Sequence, residues 1–193
     1  MIVYKIAKAI FTFYFYCFNR LIVKGKENEV PEGPMIVFGN HYSNLDVFLM
    51  TIVLKRQIRF MGKHTLFKAP VVGPLARAFG AFPVDRSRTD ITAMKTALRI
   101  LKDGGVLGIF PEGTRIKGGK ISDPKGGIAM FAWKTKSPVL PIHVEYRRRF
   151  HFLNHIELTV GEPIPASDLG IEKGTSEEYT AASERLIEKV YSL

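Results

Sequence analysis

Apolar positions in this chain gather into short dense runs between polar turns, and two different periods can be read in them. "PMIVFGN" carries an unbroken run from Met35 to Phe38, closed by Gly39, the pattern of a strand buried on both faces. "RQIRFMGK" predicts a second strand over Ile58 to Met61, "VLGIF" a third over Val106 to Phe110, and "PVLPIHVEY" and "HIELTV" two more. "GAFPVDR" is a short extended piece whose Pro83 limits its pairing. Elsewhere the period lengthens. Ile91, Met94, Leu98 and Leu101 recur at helical spacing, predicting a helix from Asp90 to Lys102 that Gly104 and Gly105 stop. A helix is also expected from Asn44 to about Leu54, and a weaker one from Gly127 to Thr135. "TSEEYTAASERLIEKVYSL" reads as a closing amphipathic helix started by a capping box of Thr175 and Glu178. Strands alternating with helices predict a single α/β domain, residues 21–193, whose mixed, largely parallel sheet is flanked by helices. In such sheets chemistry gathers in the loops leaving the carboxyl ends of strands, and "GNHYSNLD" and "PEGTR" both lie there.

The first 20 residues follow a separate pattern. "MIVYKIAKAIFTFYFYCFNR" is apolar and aromatic, with Lys5 and Lys8 inside it. As a helix, Ile2 to Phe18 would span ~25 Å, short of a hydrocarbon core. Lys5, Lys8, Thr12, Tyr16 and Asn19 fall on one stripe, and Ile2, Ile6, Ala9, Ile10, Phe13 and Cys17 on another. Two lysines on one stripe, with tyrosines nearby, predict an amphipathic helix lying in the headgroup zone and not one crossing the bilayer. A cleaved signal peptide is disfavoured, because no small residues mark a cleavage site.

Composition narrows the chemistry. With 193 residues, 46% of them hydrophobic and 24% charged, the chain is long enough for one real core. Its net charge of +10 attracts phosphates, whether on nucleic acid, anionic lipid or an acidic partner. Nucleic acid is the weakest of these, because "RRRF" (Arg147 to Phe150) is the one dense basic run and no nucleic-acid fold signature accompanies it. A single cysteine, Cys17, excludes an internal disulfide and a cysteine-built metal cluster, and suits a reducing compartment.

His41 precedes Asp46 by five residues where the first strand ends. Positions i and i+5 share no helical face, so the two meet only if His41 sits in the loop and Asp46 in the first helical turn. One reading is plain punctuation, with Ser43 as N-cap and Asp46 as its partner carboxylate, which explains Asp46 but not His41. The other is an aspartate that orients a histidine base, as in a catalytic triad. No G-x-S-x-G elbow occurs, and Cys17 lies in the hydrophobic N-terminal stretch, so no enzyme nucleophile is evident. The simplest chemistry left is a His41 base that takes a proton from a substrate hydroxyl, which then attacks an activated carbonyl. "FPEGTRIKGGK" adds glycines with Arg115, Lys117 and Lys120 after a strand, which suits a phosphate ester. It is no Walker loop, since Gly113-x4-Gly118 is followed by Gly119 and lacks the Ser or Thr that magnesium needs.

His41-x4-Asp46, "GAFPVDR" (Gly80 to Arg86), "FPEGTR" (Phe110 to Arg115) and "VLPIHV" (Val139 to Val144) occur in that order. Together they resemble the four blocks of the glycerolipid acyltransferases, most closely the bacterial 1-acylglycerol-3-phosphate acyltransferases. The resemblance implies a fatty acyl transfer from acyl carrier protein or coenzyme A to the sn-2 hydroxyl of a lysophosphatidate, giving phosphatidic acid. It implies His41 as general base with Asp46 as its partner. Arg86, Glu112, Gly113, Thr114 and Arg115 would form the acceptor phosphate site, which Lys63 in "FMGKHTLF" would also reach. Pro141 would help shape the acyl-donor site. No metal or cofactor is implied beyond the acyl thioester itself. Attachment to the cytoplasmic face of the membrane, peripheral or monotopic, and contact with anionic lipids are expected. Other lysolipids or glycerol-3-phosphate as acceptor, and thioester hydrolysis, are the competing activities.

Overall fold

The structure, a computed structural model, describes residues 2–111, 126–147 and 153–193. Seven strands form one sheet: β1 (Arg20–Lys24), β2 (Met35–Gly39), β3 (Ile58–Lys63), β4 (Phe82–Val84), β5 (Val106–Ile109), β6 (Val139–Tyr146) and β7 (His155–Val160). Their order across the sheet is β1-β7-β6-β2-β5-β3-β4. The five strands from β6 to β4 run parallel, while β7 is antiparallel to β6 and β1 is parallel to β7. The sheet is therefore mixed and largely parallel, as the alternating pattern predicts. β4, the strand with Pro83, lies at the edge, where a missing N–H is tolerated.

Six α-helices lie among the described residues: α1 (Ile2–Phe18), α2 (Asp46–Val53), α3 (Val72–Ala78), α4 (Ile91–Lys102), α5 (Gly127–Thr135) and α6 (Ser176–Tyr191). Side chains alternate across β2, so Met35 and Val37 join one core with Phe15 of α1 and Leu49, Met50 and Val53 of α2. Ile36 and Phe38 point the other way, against Ala97 and Leu101 of α4, Ile128 and Phe131 of α5 and Leu186 of α6. Every residue of β2 is buried, which is why its sequence is apolar throughout. Helix caps follow the predicted chemistry. The Asp90 side chain accepts from Ala93 N at 2.9 Å, and Thr175 and Glu178 form a complete capping box.

β1 and α3 are elements that the hydrophobic pattern did not announce. β1 follows α1 after one residue, and α3 contains Gly73 and Pro74, which read as loop. Pro74 falls in the first turn, where a helix has no use for the N–H it lacks.

α1 exposes the apolar stripe read from the sequence but divides the polar one. Lys5 and Tyr16 are exposed, whereas Lys8 and Thr12 are half-buried against the protein. The Lys8 ammonium donates to Leu54 O at the carboxyl end of α2. That end carries unpaired carbonyls and a partial negative charge, which draws the cation inward, although burial lowers the Lys8 pKa from its ordinary value. Ile2, Ile6, Ile10 and Phe13 point outward, each at least 56% exposed. No helix among the described residues is long and apolar enough to cross a membrane.

Candidate active site

β2 is the central strand that delivers the site. At its end Gly39 passes so close to β6 that a Cβ would stand 2.3 Å from Ile142 O. The chain then leaves the sheet, and Asn40 replaces the lost backbone pairing with its own amide. Asn40 Nδ2 donates to Val144 O and Val144 N donates to Asn40 Oδ1, both at 2.8 Å and both buried. The side chain thus extends the β2–β6 ladder while freeing the next residue to turn away from it. Asn40→Ala is expected to leave both Val144 groups buried without partners. The cost is about 1–3 kcal/mol per unpaired group, read as a lower urea midpoint.

The next residue is His41. Its Nδ1 lies 3.0 Å from Asp46 Oδ2, with His41 9% exposed and Asp46 fully buried. Asp46 is the first residue of α2, and His41 is in the loop before it, the arrangement their spacing requires. Asp46 Oδ2 also accepts from Ser43 N at 2.7 Å, and Ser43 Oγ accepts from Leu45 N at 3.2 Å. Ser43 is not the N-cap its spacing suggests, because α2 starts after Leu45 and has no side-chain cap, yet the carboxylate that ties down the Ser43 amide is the one that holds the imidazole. Asp46 Oδ1 accepts from the Tyr146 hydroxyl at 2.5 Å. Burial, followed by the Asp46 charge and the bond to it, pushes Tyr146 far above its ordinary pKa, so it stays a neutral donor. With Asp46 ionised, Nδ1 carries the ring hydrogen and Nε2 is the acceptor.

One face of the imidazole is covered. Phe110 stacks on His41 at 4.0 Å between centroids and 15° between planes, and Phe60 stacks on Phe110 at 5.6 Å. Phe60 fits because Gly108 lacks a Cβ, which would stand 2.4 Å from the ring. This aromatic row fixes the ring's tilt and shields that face from water.

The proposed phosphate residues sort along the same carboxyl edge. Lys63 ends β3 and pairs with Val84 of β4, two residues before Arg86. β3 lies two strands from β2, on the order of 10 Å away, with β5 between them. Asp90 ties the Arg86 turn to α4, because its second oxygen accepts from Asp85 N at 2.9 Å. Arg86 Nη2 approaches Met61 O at 3.5 Å, and partial burial lowers its pKa from the ordinary value, although a guanidinium stays charged. Glu112, Gly113, Thr114 and Arg115 lie outside the described residues. Pro141 is buried within β6, opposite Phe38 and against Gly161, one register position before Ile142 meets Gly39 at the end of β2.

Known proteins match most of the chain. A family model described as "Acyltransferase" matches residues 20–145. The chain belongs to the acyltransferase family. A 1-acyl-sn-glycerol-3-phosphate acyltransferase of Bacillus subtilis (strain 168) is 28% identical over 175 residues, covering 89% of this chain and 86% of that protein. The chloroplastic relative BAT2 of Brassica napus is 32% identical over 140 residues, 71% of this chain but 40% of its own length. The crystal structure of the 1-acyl-sn-glycerophosphate (LPA) acyltransferase PlsC from Thermotoga maritima superposes with a TM-score of 0.73 at 27% identity, covering 98% of this chain and 77% of that one. The family match begins at residue 20, the first of β1, and ends at residue 145 within β6.

Proposed function

We propose that this acyltransferase moves a fatty acyl chain from a thioester to the free sn-2 hydroxyl of 1-acylglycerol-3-phosphate, giving phosphatidic acid. The observation that carries the reading is the buried His41–Asp46 pair at 3.0 Å, set on the strand edge that also bears Lys63 and Arg86. The printed names of the relatives supply the acceptor class.

Lys63 and Arg86, with Arg115 from the loop after β5, hold the acceptor phosphate and so bring the glycerol hydroxyl to His41 Nε2. Fixed orientation of this kind contributes up to roughly 7–11 kcal/mol in ideal cases. His41 takes the hydroxyl proton as the oxygen attacks the thioester carbonyl carbon. The carbon–sulfur bond breaks, the thiolate departs, and it takes the proton back from His41. Asp46 stabilises the imidazolium that exists between the two transfers. The donor is an acyl carrier protein or coenzyme A thioester, and the +10 charge suits the anionic character of both.

A lipid acceptor and a lipid product suit a site at a membrane surface. α1 supports this, because Ile2, Ile6, Ile10 and Phe13 form an exposed apolar stripe on a 17-residue helix. Such a helix lies in the interface, with the basic surface attracted to anionic headgroups on the cytoplasmic side.

Mass spectrometry of reactions with an acyl thioester, with and without lysophosphatidate, tests the assignment. Phosphatidic acid and free thiol in equal amounts, only when both substrates are present, are expected. Equal release of free fatty acid without the acceptor would make the protein a hydrolase and overturn the reading.

A further inference from the structure

Asp46 receives three hydrogen bonds, and the one from farthest along the chain has no assigned role. Ser43 N and His41 Nδ1 share Oδ2, whereas the Tyr146 hydroxyl holds Oδ1 from β6, 100 residues away in sequence. Ile142 and Val144 belong to the core on the α2 side of the sheet, and Tyr146, two residues on, packs against that same core. β6 itself is fixed beside the site, because Asn40 grips both backbone groups of Val144. The outgoing end of β6 therefore holds both halves of the pair, His41 through its neighbour Asn40 and Asp46 through Tyr146.

We propose that Tyr146 is a positioning residue of the acyl transfer, fixing the Asp46 carboxylate and setting how strongly it attracts the His41 proton. The inference rests on His41 as the general base. Without the hydroxyl, Oδ1 is buried with one donor fewer, and the carboxylate loses its restraint on that side. Its charge then falls more heavily on Oδ2, the oxygen that faces the imidazole. The protonated ring is stabilised and the base is held in its charged form at higher pH.

The sign of the pH effect follows. Transfer needs neutral His41, so activity falls at low pH. Stabilising the protonated ring moves the acid limb of kcat/KM to higher pH. Tyr146 is the titratable group bonded to the pair from β6. Phe110, which follows β5, is uncharged and covers the ring. Lys63 and Arg86 are the cations at the ends of β3 and β4, and Lys8 of α1 engages the opposite end of α2 at Leu54.

Tyr146→Phe removes only the hydroxyl. Expected are a kcat lower by about 10-fold or more, an acceptor KM little changed, and an acid limb displaced to higher pH. In an Asp46→Asn background the same change should add no further loss in kcat. A reduced melting temperature with an unmoved acid limb, or losses that multiply in the double variant, would overturn the proposal and leave Tyr146 a packing residue. His41→Ala, assayed in parallel, separates this inference from its premise. If His41→Ala is inactive and the limb of Tyr146→Phe is unmoved, the positioning role alone falls. If His41→Ala remains active, both fall.

Discussion

Asp46→Asn is expected to lower kcat for acyl transfer by about 10²- to 10⁴-fold while the protein stays folded. The substitution keeps the size of the side chain but not its hydrogen-bonding sense. Asp46 accepts from His41 Nδ1, Ser43 N and Tyr146 Oη. An amide has one acceptor oxygen and turns its NH2 toward a donor at the other position. If the oxygen stays with Ser43 and His41, the amide donates toward Tyr146, and no charge remains to stabilise the imidazolium. If the amide flips, it meets Nδ1 with a donor and favours the wrong tautomer, leaving Nε2 protonated and unable to act as base. The first arrangement weakens the base and the second removes it. Steady-state kinetics with a thiol-release assay checks the loss, and circular dichroism checks the fold. An Asp46→Asn protein within threefold of the parent would remove Asp46 from the mechanism.

The second large effect concerns α1. Ile6→Glu, Ile10→Glu and Phe13→Glu together should abolish sedimentation with anionic phospholipid vesicles. Each of these side chains is more than half exposed, so the helix stripe is unpartnered in the isolated chain. Burying one in a bilayer interface is worth about 1.5–3 kcal/mol. Losing three weakens binding by more than about a thousandfold, before the cost of three carboxylates beside anionic lipid is added. The fold should tolerate the changes, because the opposite face of α1 does the packing. Phe15 is fully buried, and Phe11 stacks on Phe48 at 4.1 Å. A triple variant that still sediments with vesicles, at an unchanged melting temperature, would rule out this stripe as the membrane contact.

Local periodicity announced what was local. β7, α5 and the closing helix with its capping box lie where their apolar spacing and turn residues put them. His41 and Asp46 were legible because they are five residues apart and a loop-to-helix junction brings them together. Four short blocks in order carried the family. What stayed hidden depends on contacts between distant segments. The Asn40–Val144 bonds and the Tyr146–Asp46 bond close loops of 104 and 100 residues, and no period within one element predicts them. The inward turn of Lys8 was hidden for the same reason: the carboxyl end of α2 draws it in, while the isoleucine stripe stays outside.

Everything turns on the imidazole of His41, and one paired measurement reaches it directly: acyl-transfer rate and lysophosphatidate affinity of His41→Ala. Removing a general base costs about 10²- to 10⁴-fold in rate, whereas acceptor affinity is governed by cations on other strands. The account predicts loss of phosphatidic acid formation with lysophosphatidate binding within a few-fold of the parent. Phosphatidic acid formed at the parental rate by His41→Ala would contradict it.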